Sequence, residues 1–291
     1  MSSKKFAIGL SPLNYYNNDI NAFDKFCKEN DYRIEHWYSA LPCTWKSKGI
    51  KFKSLREQKR NLKKQLTIIK NNNQKLSIMF SSSIMCVNQL ELKNYIDLFN
   101  KYDFGMIHID IMDGRFVNNI MYGPYILNDL RKYTDLKFDI HLMIDKPEYK
   151  LKMFDFTKKD RVAIHYESTK NLMQTILMYK EKVGEVFVAI NPATPIFLLD
   201  EVMGIIDGVL VMCVNPGFAS QDMIFNIPDK LSKIRTKYPS LKIEVDGHIT
   251  PEYYEDFKTQ LNVNDFVLGT SFIFKGGLEN TENIIKELVK K

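Results

Sequence analysis

Histidines and aspartates occur in short apolar segments of this sequence, at positions where they could perform chemistry together. His108 and Asp110 lie two residues apart in MIHIDI, His141 lies in KFDIHLM, and Asp246 ends KIEVD. Residues two apart in a strand share one face, so His108 and Asp110 point away from the neighbouring isoleucines. Two imidazoles and two carboxylates that converge would form a divalent metal site, whereas each residue alone could be a hydrogen-bonded core residue. Asp139, on the same strand face as His141, could orient an imidazole or form a core salt bridge.

The segments that carry these residues belong to a repeated pattern of apolar and amphipathic stretches. The predicted strands are KLSIMFSS, MIHIDI, KFDIHLM, RVAIHYE, EVFVAIN, GVLVMCVN, KIEVD and DFVLGTS. Helices are predicted near residues 87–100, 124–133, 147–156, 170–182, 196–203, 228–238, 251–260 and 281–290. Eight such βα units predict an α/β fold, the TIM (β/α)8 barrel, in which active-site residues lie at the C-terminal ends of the strands. The sequence contains no GxGxxG motif, the pattern that would indicate an open dinucleotide-binding sheet.

Glycines and small polar residues follow the last three predicted strands, where this fold commonly binds phosphate. The candidate phosphate-binding residues are Gly217, Ala219, Ser220, Gly247, His248, Gly269 and Thr270. Free backbone N–H groups in such loops point at an anion, although each glycine alone could simply form a turn. A metal centre beside a phosphate site suits a small phosphorylated substrate.

Composition and charge restrict the class of protein. The 291 residues are 45% hydrophobic and 26% charged, which excludes fibrous, collagen-like and wholly disordered chains. No apolar stretch approaches the ~18 residues of a membrane span. The first residues lack the pattern of a secretory signal, and the four cysteines form no C-x-x-C pair. We therefore predict a cytoplasmic protein with reduced thiols and no membrane partner.

A basic N-terminal extension, residues 1–75, is predicted to precede the barrel domain, residues 76–291. Residues 1–76 carry 16 Lys and Arg against 6 Asp and Glu, whereas the remainder carries 25 and 29. Residues 54–75 fit an amphipathic helix with a cationic face, and both tryptophans lie in the extension. Such a helix could pack on the body, assemble subunits, or bind nucleic acid or anionic lipid. Because no nucleic-acid motif accompanies the charge, we predict that nucleic acid is not a partner.

Five segments resemble the ribulose-phosphate 3-epimerase family and occur in its order. They are HIDIMDGRFVNN, DIHLM, NPATP, VMCVNPGFASQ and EVDG, within residues 76–291. The resemblance implies one divalent metal ion, with zinc as the first choice and iron, manganese or cobalt as alternatives. The implied ligands are His108, Asp110, His141 and Asp246, and the two aspartates are implied as the catalytic acid and base. The implied substrate-binding residues are Ser83, His141, Met112, Met143 and Met212, although the methionines could equally be core residues.

The function implied by the resemblance is that of an isomerase, a metal-dependent phosphoketose 3-epimerase. It would interconvert D-ribulose 5-phosphate and D-xylulose 5-phosphate by proton transfer through an enediolate, with the cation stabilising the developing negative charge. An alternative within the family is the interconversion of D-allulose 6-phosphate and D-fructose 6-phosphate. An alternative of another class is a non-catalytic phosphosugar-binding barrel whose basic extension performs the function. The resemblance also implies a homo-oligomer.

Several positions differ from the family pattern. A proline before the first-strand serine is Ser82 here, and the proline of FVPN is Asn118. The paired glycines of PGFGGQ are Ala219 and Ser220, and the second glycine of DGG is His248. Backbone contacts to phosphate tolerate such side chains provided that the loops need no positive φ at these positions. Since the four ligand positions are unchanged, we expect the metal site and the proton chemistry to be retained.

Overall fold

The computed structural model describes residues 78–290, which form a closed barrel of eight parallel strands surrounded by helices. The strands are Met79–Ser83 (β1), Met106–Asp113 (β2), Ile120–Met121 (β3), Lys137–Met143 (β4), Arg161–His165 (β5), Glu185–Ile190 (β6), Gly208–Met212 (β7), Lys242–Asp246 (β8) and Asp265–Leu268 (β9). Strand β1 pairs with both β2 and β9, which closes the barrel. The two-residue strand β3 lies outside the barrel and pairs antiparallel with the end of β2. The predicted TIM barrel is confirmed.

The α-helices follow the barrel strands as predicted, with two differences. Within residues 78–290 they are Leu92–Tyr102 (α1), Pro124–Leu130 (α2), Pro147–Lys150 (α3), Leu172–Lys180 (α4), Ile227–Lys237 (α5), Pro251–Gln260 (α6) and Gly277–Val289 (α7). Residues 196–203, predicted as an α-helix, instead form a 3-10 helix over Ile196–Val202. Helix α3 is much shorter than predicted, because a 3-10 turn follows it and Phe154 then becomes extended and buried.

Proline and capping side chains set the starts of several helices. Proline occupies the first turn of α2, α3, α5 and α6, where its missing N–H costs no helical hydrogen bond. At the start of α6, the Thr250 side chain accepts a hydrogen bond from the Tyr253 N–H. Asn171 caps α4 in the same way. These signals fix where each strand-to-helix loop ends, and those loops border the site.

The two faces of the barrel strands differ in chemistry, as the spacing of β2 predicts. Ile107, Ile109 and Ile111 are buried in the apolar core between strands and helices. The barrel interior holds a smaller apolar cluster that includes Phe187 and Leu210. Thus the polar residues of β2 face the barrel axis and its isoleucines face the helices.

A buried ionic layer fills the barrel on the N-terminal side of the site. Nη1 of Arg161 lies 3.2 Å from Glu244 Oε1 and 2.7 Å from Asp265 Oδ2, and the guanidinium stacks 4.2 Å from the centre of the Phe187 ring. Burial and the neighbouring Asp139 raise the pKa of Glu244 well above its ordinary value, against the attraction of Arg161. One buried cation therefore organises several carboxylates beneath the site.

Predictions about the basic extension, including the helix over residues 54–75, lie outside the described residues. None of the helices in residues 78–290 has both the length and the apolar character required to cross a lipid bilayer.

Candidate active site

Four side chains from three strands converge at the C-terminal end of the barrel. His108 and Asp110 come from β2, His141 from β4 and Asp246 from the end of β8. Asp110 Oδ1 lies 3.3 Å from His108 Nε2 and 3.2 Å from His141 Nδ1. Asp246 Oδ2 lies 3.8 Å from the same Nδ1 atom of His141. One ligand atom from each residue lies within 4.8 Å of the others, so the structure brings the four predicted residues together.

His108 presents one ring nitrogen to the cluster and uses the other for a buried hydrogen bond. Its Nδ1 lies 2.7 Å from Asp139 Oδ2, which makes Asp139 the residue that orients this imidazole. Its Nε2 is fully buried and has no hydrogen-bond partner among residues 78–290. Burial lowers the pKa of His108, but the negative charges of Asp110 and Asp139 outweigh burial and raise it well above its ordinary value.

The arrangement fits a divalent cation. Adjacent ligand atoms in a tetrahedral zinc site with bonds of about 2.05 Å are about 3.3 Å apart, close to the separations of the imidazole nitrogens and carboxylate oxygens here. The unpartnered buried nitrogen of His108 would gain a partner from a bound ion. A mixed set of two imidazoles and two carboxylates suits zinc, iron, manganese or cobalt. These four residues could therefore hold one such ion.

The two aspartates of the cluster differ in their protonation. Burial alone would raise the pKa of Asp110, but the imidazoles of His108 and His141 lower it well below its ordinary value. In addition, the Ser83 hydroxyl donates a hydrogen bond of 2.9 Å to Asp110 Oδ2. Burial, with the charge of Asp110, raises the pKa of Asp246 to about 7 despite the attraction of His108. One carboxyl group of the pair is thus ionised, and the other can hold a proton near neutral pH.

An open pocket lies above the cluster and collects the remaining predicted site residues. Asp110 and Asp246 line it, together with Ser83 and the methionines predicted to bind substrate. The lining also includes every predicted phosphate-binding residue: Gly217, Ala219, Ser220, Gly247, His248, Gly269 and Thr270. The structure therefore brings all of these candidates to one site.

Two of the loops need a positive φ where this chain carries a side chain in place of glycine. Ser220 has φ 60° and His248 has φ 55°, both in the left-handed region that favours glycine. Gly247 has φ 103°, and a Cβ there would lie 2.5 Å from a methyl carbon of Val214. We expected these side chains to be tolerated provided that the loops need no positive φ. Ser220 and His248 do have positive φ, so the backbone is strained at both positions.

Sequence reasoning missed two residues beside the cluster. The Nε2 atoms of His141 and His165 lie 2.8 Å apart, and His165 Nδ1 lies 3.2 Å from Glu167 Oε2. Strand β5 ends at His165, and the pattern His-x-Glu at this strand end was the available signal. Because Glu167 lies beyond the strand, in the 3-10 helix Tyr166–Ser168, strand periodicity alone could not place it.

The described residues thus define a TIM-barrel protein with a histidine and aspartate cluster beside an open pocket at the C-terminal end of the barrel. The profile of the Ribulose-phosphate 3 epimerase family matches residues 79–274, and the chain belongs to that family. The family is named for its epimerases, which confirms the predicted isomerase class.

Curated relatives carry the family name. The chain is 38% identical over 183 residues to the "Ribulose-5-phosphate-3-epimerase, chloroplastic" of Arabidopsis thaliana, a match that covers 61% of this chain and 65% of that protein. It is 36% identical over 180 residues to the "Ribulose-phosphate 3-epimerase" of Bacillus subtilis strain 168, covering 60% of this chain and 83% of the relative.

Solved structures agree on the fold. The crystal structure of KGPDC from Streptococcus mutans matches with a TM-score of 0.52 at 13% sequence identity, covering 74% of this chain and 98% of that chain. At this identity, the likeness supports the barrel architecture alone.

Proposed function

We propose that this protein is a metal-dependent phosphoketose 3-epimerase that interconverts D-ribulose 5-phosphate and D-xylulose 5-phosphate. The observation that carries the proposal is the pair Asp110 and Asp246, which share one cation-binding cluster and line the pocket. Family membership and the names of the Arabidopsis and Bacillus relatives support this choice of substrate.

The reaction requires removal of a proton from C3 and delivery of a proton to the opposite face. Two groups on different strands suit this task, since β2 and β8 approach the pocket from separate parts of the barrel. The lowered pKa of Asp110 keeps it ionised and able to accept a proton, and the raised pKa of Asp246 lets it hold a proton that it can donate. In the reverse direction the two aspartates exchange roles. We infer that they flank C3 of the bound sugar.

The cluster residues would hold the cation through His108 Nε2, His141 Nδ1 and the two carboxylates. A bound divalent cation supplies positive charge beside the substrate oxygens that become negative when the C3 proton leaves. Asp139 fixes the ring of His108, and the hydrogen bond from Ser83 holds the Asp110 carboxylate in place. Met112, Met143 and Met212 line the pocket and would restrict water near the reacting carbon.

The loops after β7, β8 and β9 form the phosphate end of the pocket. Ser220 Oγ and Thr270 Oγ1 lie 3.4 Å apart across two of these loops, and both side chains line the pocket. Backbone N–H groups near Gly247 and Gly269 and the hydroxyls of Ser220 and Thr270 would donate to the phosphate oxygens. The imidazole of His248 provides a further donor at the same rim.

A substrate panel tests this proposal. The purified protein is assayed with ribulose 5-phosphate, allulose 6-phosphate and their unphosphorylated parents, with added zinc, iron, manganese or cobalt. We expect the highest kcat/KM with ribulose 5-phosphate and little turnover without phosphate. Preference for allulose 6-phosphate would assign the other branch of the family. Binding of phosphosugars without turnover of any of them would support a non-catalytic barrel instead.

The remaining sequence predictions extend this proposal. We propose a cytoplasmic homo-oligomer in which residues 1–75 form an extension separate from the barrel domain, residues 76–291. The positive charge of the extension, with 16 basic against 6 acidic residues over positions 1–76, favours a role in assembly or in contact with anions over a catalytic role. Size measurement on the full chain and on a chain lacking residues 1–75 would distinguish assembly from the other roles.

A further inference from the structure

A buried chain of hydrogen-bonding groups runs from the cluster toward the surface through β5. His141 and His165 are fully buried, and their Nε2 atoms are 2.8 Å apart. On its other side, His165 Nδ1 lies 3.2 Å from Oε2 of Glu167, whose side chain is 23% exposed. The other oxygen of Glu167 accepts hydrogen bonds from the Asn191 N–H, at 2.9 Å, and from the Thr194 hydroxyl. Every member of the chain therefore has its partner.

The positions of the protons along this chain follow from its anchored end. Burial raises the pKa of Glu167, but the hydrogen bonds from His165, Thr194 and Asn191 lower it to about 2, so Glu167 is an ionised acceptor. His165 must then carry a proton on Nδ1, which leaves a lone pair on Nε2 when the ring is neutral. The facing Nε2 of His141 must supply the proton that lies between the rings. The Asp110 carboxylate, whose Oδ1 lies 3.2 Å from His141 Nδ1, competes for this proton, but the contact between the two Nε2 atoms is shorter, at 2.8 Å. The proton on the His165 side leaves His141 with a lone pair on Nδ1, the atom that faces Asp110 and Asp246.

We propose that His165 and Glu167 are positioning residues that hold His141 as its Nε2–H tautomer, so that Nδ1 is available to a cation. The role in cation binding rests on the proposed function, whereas the tautomer is a property of the chain alone. Without the acceptor at position 165, His141 would keep a buried unpaired N–H or move its proton to Nδ1. Either outcome weakens the cation site.

Packing alone does not account for a histidine at position 165. Its ring lies 5.0 Å from the ring centre of His141 and 4.7 Å from that of Phe116, contacts that a phenylalanine could also make. A buried imidazole costs desolvation free energy that an apolar ring avoids. The polar contacts on both of its nitrogens offset this cost, and they are what connects Glu167 to His141.

Histidine NMR on the metal-free full chain tests the tautomer directly. Two-bond ¹⁵N–¹H spectra distinguish the two neutral tautomers, and the His141 signals are assigned by their loss in His141→Asn. We expect Nε2–H for His141 in the wild type and loss of that single tautomer in His165→Phe. His165→Gln should retain it, because the glutamine carbonyl oxygen can take the place of Nε2 as acceptor. A wild-type His141 protonated on Nδ1, or an unchanged tautomer in His165→Phe, would overturn the proposal.

Zinc affinity, measured by competition with a chelator, provides the second readout. We expect His165→Phe to bind zinc about 10–100-fold more weakly and His165→Gln to stay within about tenfold of the wild type. Glu185→Gln is the matched control: this carboxylate, 33% exposed, pairs with Arg161 outside the cluster and should leave zinc affinity unchanged. Equal affinity in the wild type and His165→Phe would contradict the proposal.

A second variant tests the positioning role if His165→Phe is unstable, and an activity assay separates that role from the proposed function. If His165→Phe does not fold, Glu167→Ala provides the test at a less buried position, because His165 then loses the acceptor that fixes its own tautomer. We expect a mixture of His141 tautomers in that variant, and a single unchanged tautomer would refute the role of Glu167. A wild type that shows the expected tautomer and zinc affinity but no epimerase activity would refute the proposed function and leave the positioning role standing.

Discussion

Asp113, the last residue of β2, connects three segments that border the site. Its Oδ1 accepts hydrogen bonds from the N–H groups of Arg115 and Phe116, at 2.9 and 3.0 Å. Its Oδ2 accepts from the Asp145 N–H, at 2.9 Å, and from the Lys150 ammonium group. Replacement by asparagine removes the charge and keeps the shape, so Asp113→Asn isolates the contribution of the ionised carboxylate.

The magnitude follows from the pKa shift. Burial raises the pKa of Asp113, but Lys150 and the three N–H donors lower it from 3.8 to about 2. At 1.36 kcal/mol per unit, this shift corresponds to about 2 kcal/mol of stability at pH 7. Because the folded pKa lies below the unfolded value, the contribution is complete above about pH 5. It is lost as pH falls toward 2, with about half remaining at pH 3.

Urea denaturation at pH 7 and pH 3 checks this expectation. We expect Asp113→Asn to lower the free energy of unfolding by about 2 kcal/mol at pH 7 and by about 1 kcal/mol at pH 3. Asp229→Asn is the control, because Asp229 is exposed on α5 and forms a surface ion pair with Lys233 of the same helix. A loss that is equal at both pH values, or absent at pH 7, would refute the reasoning.

Three further predictions follow from the barrel interior, the cluster and the phosphate loops. Arg161→Met should lower the free energy of unfolding by about 3–5 kcal/mol, because Asp265 would lose its buried cation and Glu244 a buried hydrogen-bond donor; a loss under 1 kcal/mol in urea would contradict this. Since a cation must displace a proton from His108, whose pKa is raised, zinc should bind up to about tenfold more weakly for each pH unit lowered near neutrality. A zinc dissociation constant that does not change with pH would count against His108 as a ligand. His248→Gly should remove the strain of the positive φ at this position and raise the free energy of unfolding by about 1 kcal/mol. A free energy of unfolding below that of the wild type would show that the contacts of the His248 side chain outweigh the strain.

The fold was predictable because local patterns and topology agree. Strand segments rich in isoleucine and valine alternate with stretches opened by Pro124, Pro147 and Pro251, and a parallel sheet of eight such units closes into a barrel. The 3-10 helix over Ile196–Val202 was not predictable from composition, since its residues are as apolar as those of an α-helix. Residue propensity does not distinguish a 3-10 helix from an α-helix in such a short segment.

The cluster was predictable because strand periodicity and barrel topology together place strand-end side chains at one mouth. His108 and Asp110 needed only their spacing, and Asp246 needed only the rule about strand ends. Which imidazole Asp139 would orient was not predictable, because a two-residue periodicity gives the face but not the rotamer. The contact between His141 and His165 was missed because the two residues are not paired in the sheet. The residue of β5 that pairs with His141 is Ala163, and His165 lies two residues further along the strand.

The central claim is that Asp110 and Asp246 transfer the C3 proton on opposite faces of the sugar. The most direct test is to incubate ribulose 5-phosphate with the protein in D₂O and to monitor, by NMR, the incorporation of deuterium at C3. The wild type should exchange the C3 hydrogen as it epimerises, and Asp110→Asn and Asp246→Asn should each slow epimerisation by at least about 10²–10⁴-fold. Near-normal epimerisation in either variant that retains zinc, or epimerisation by the wild type without any deuterium at C3, would contradict the account.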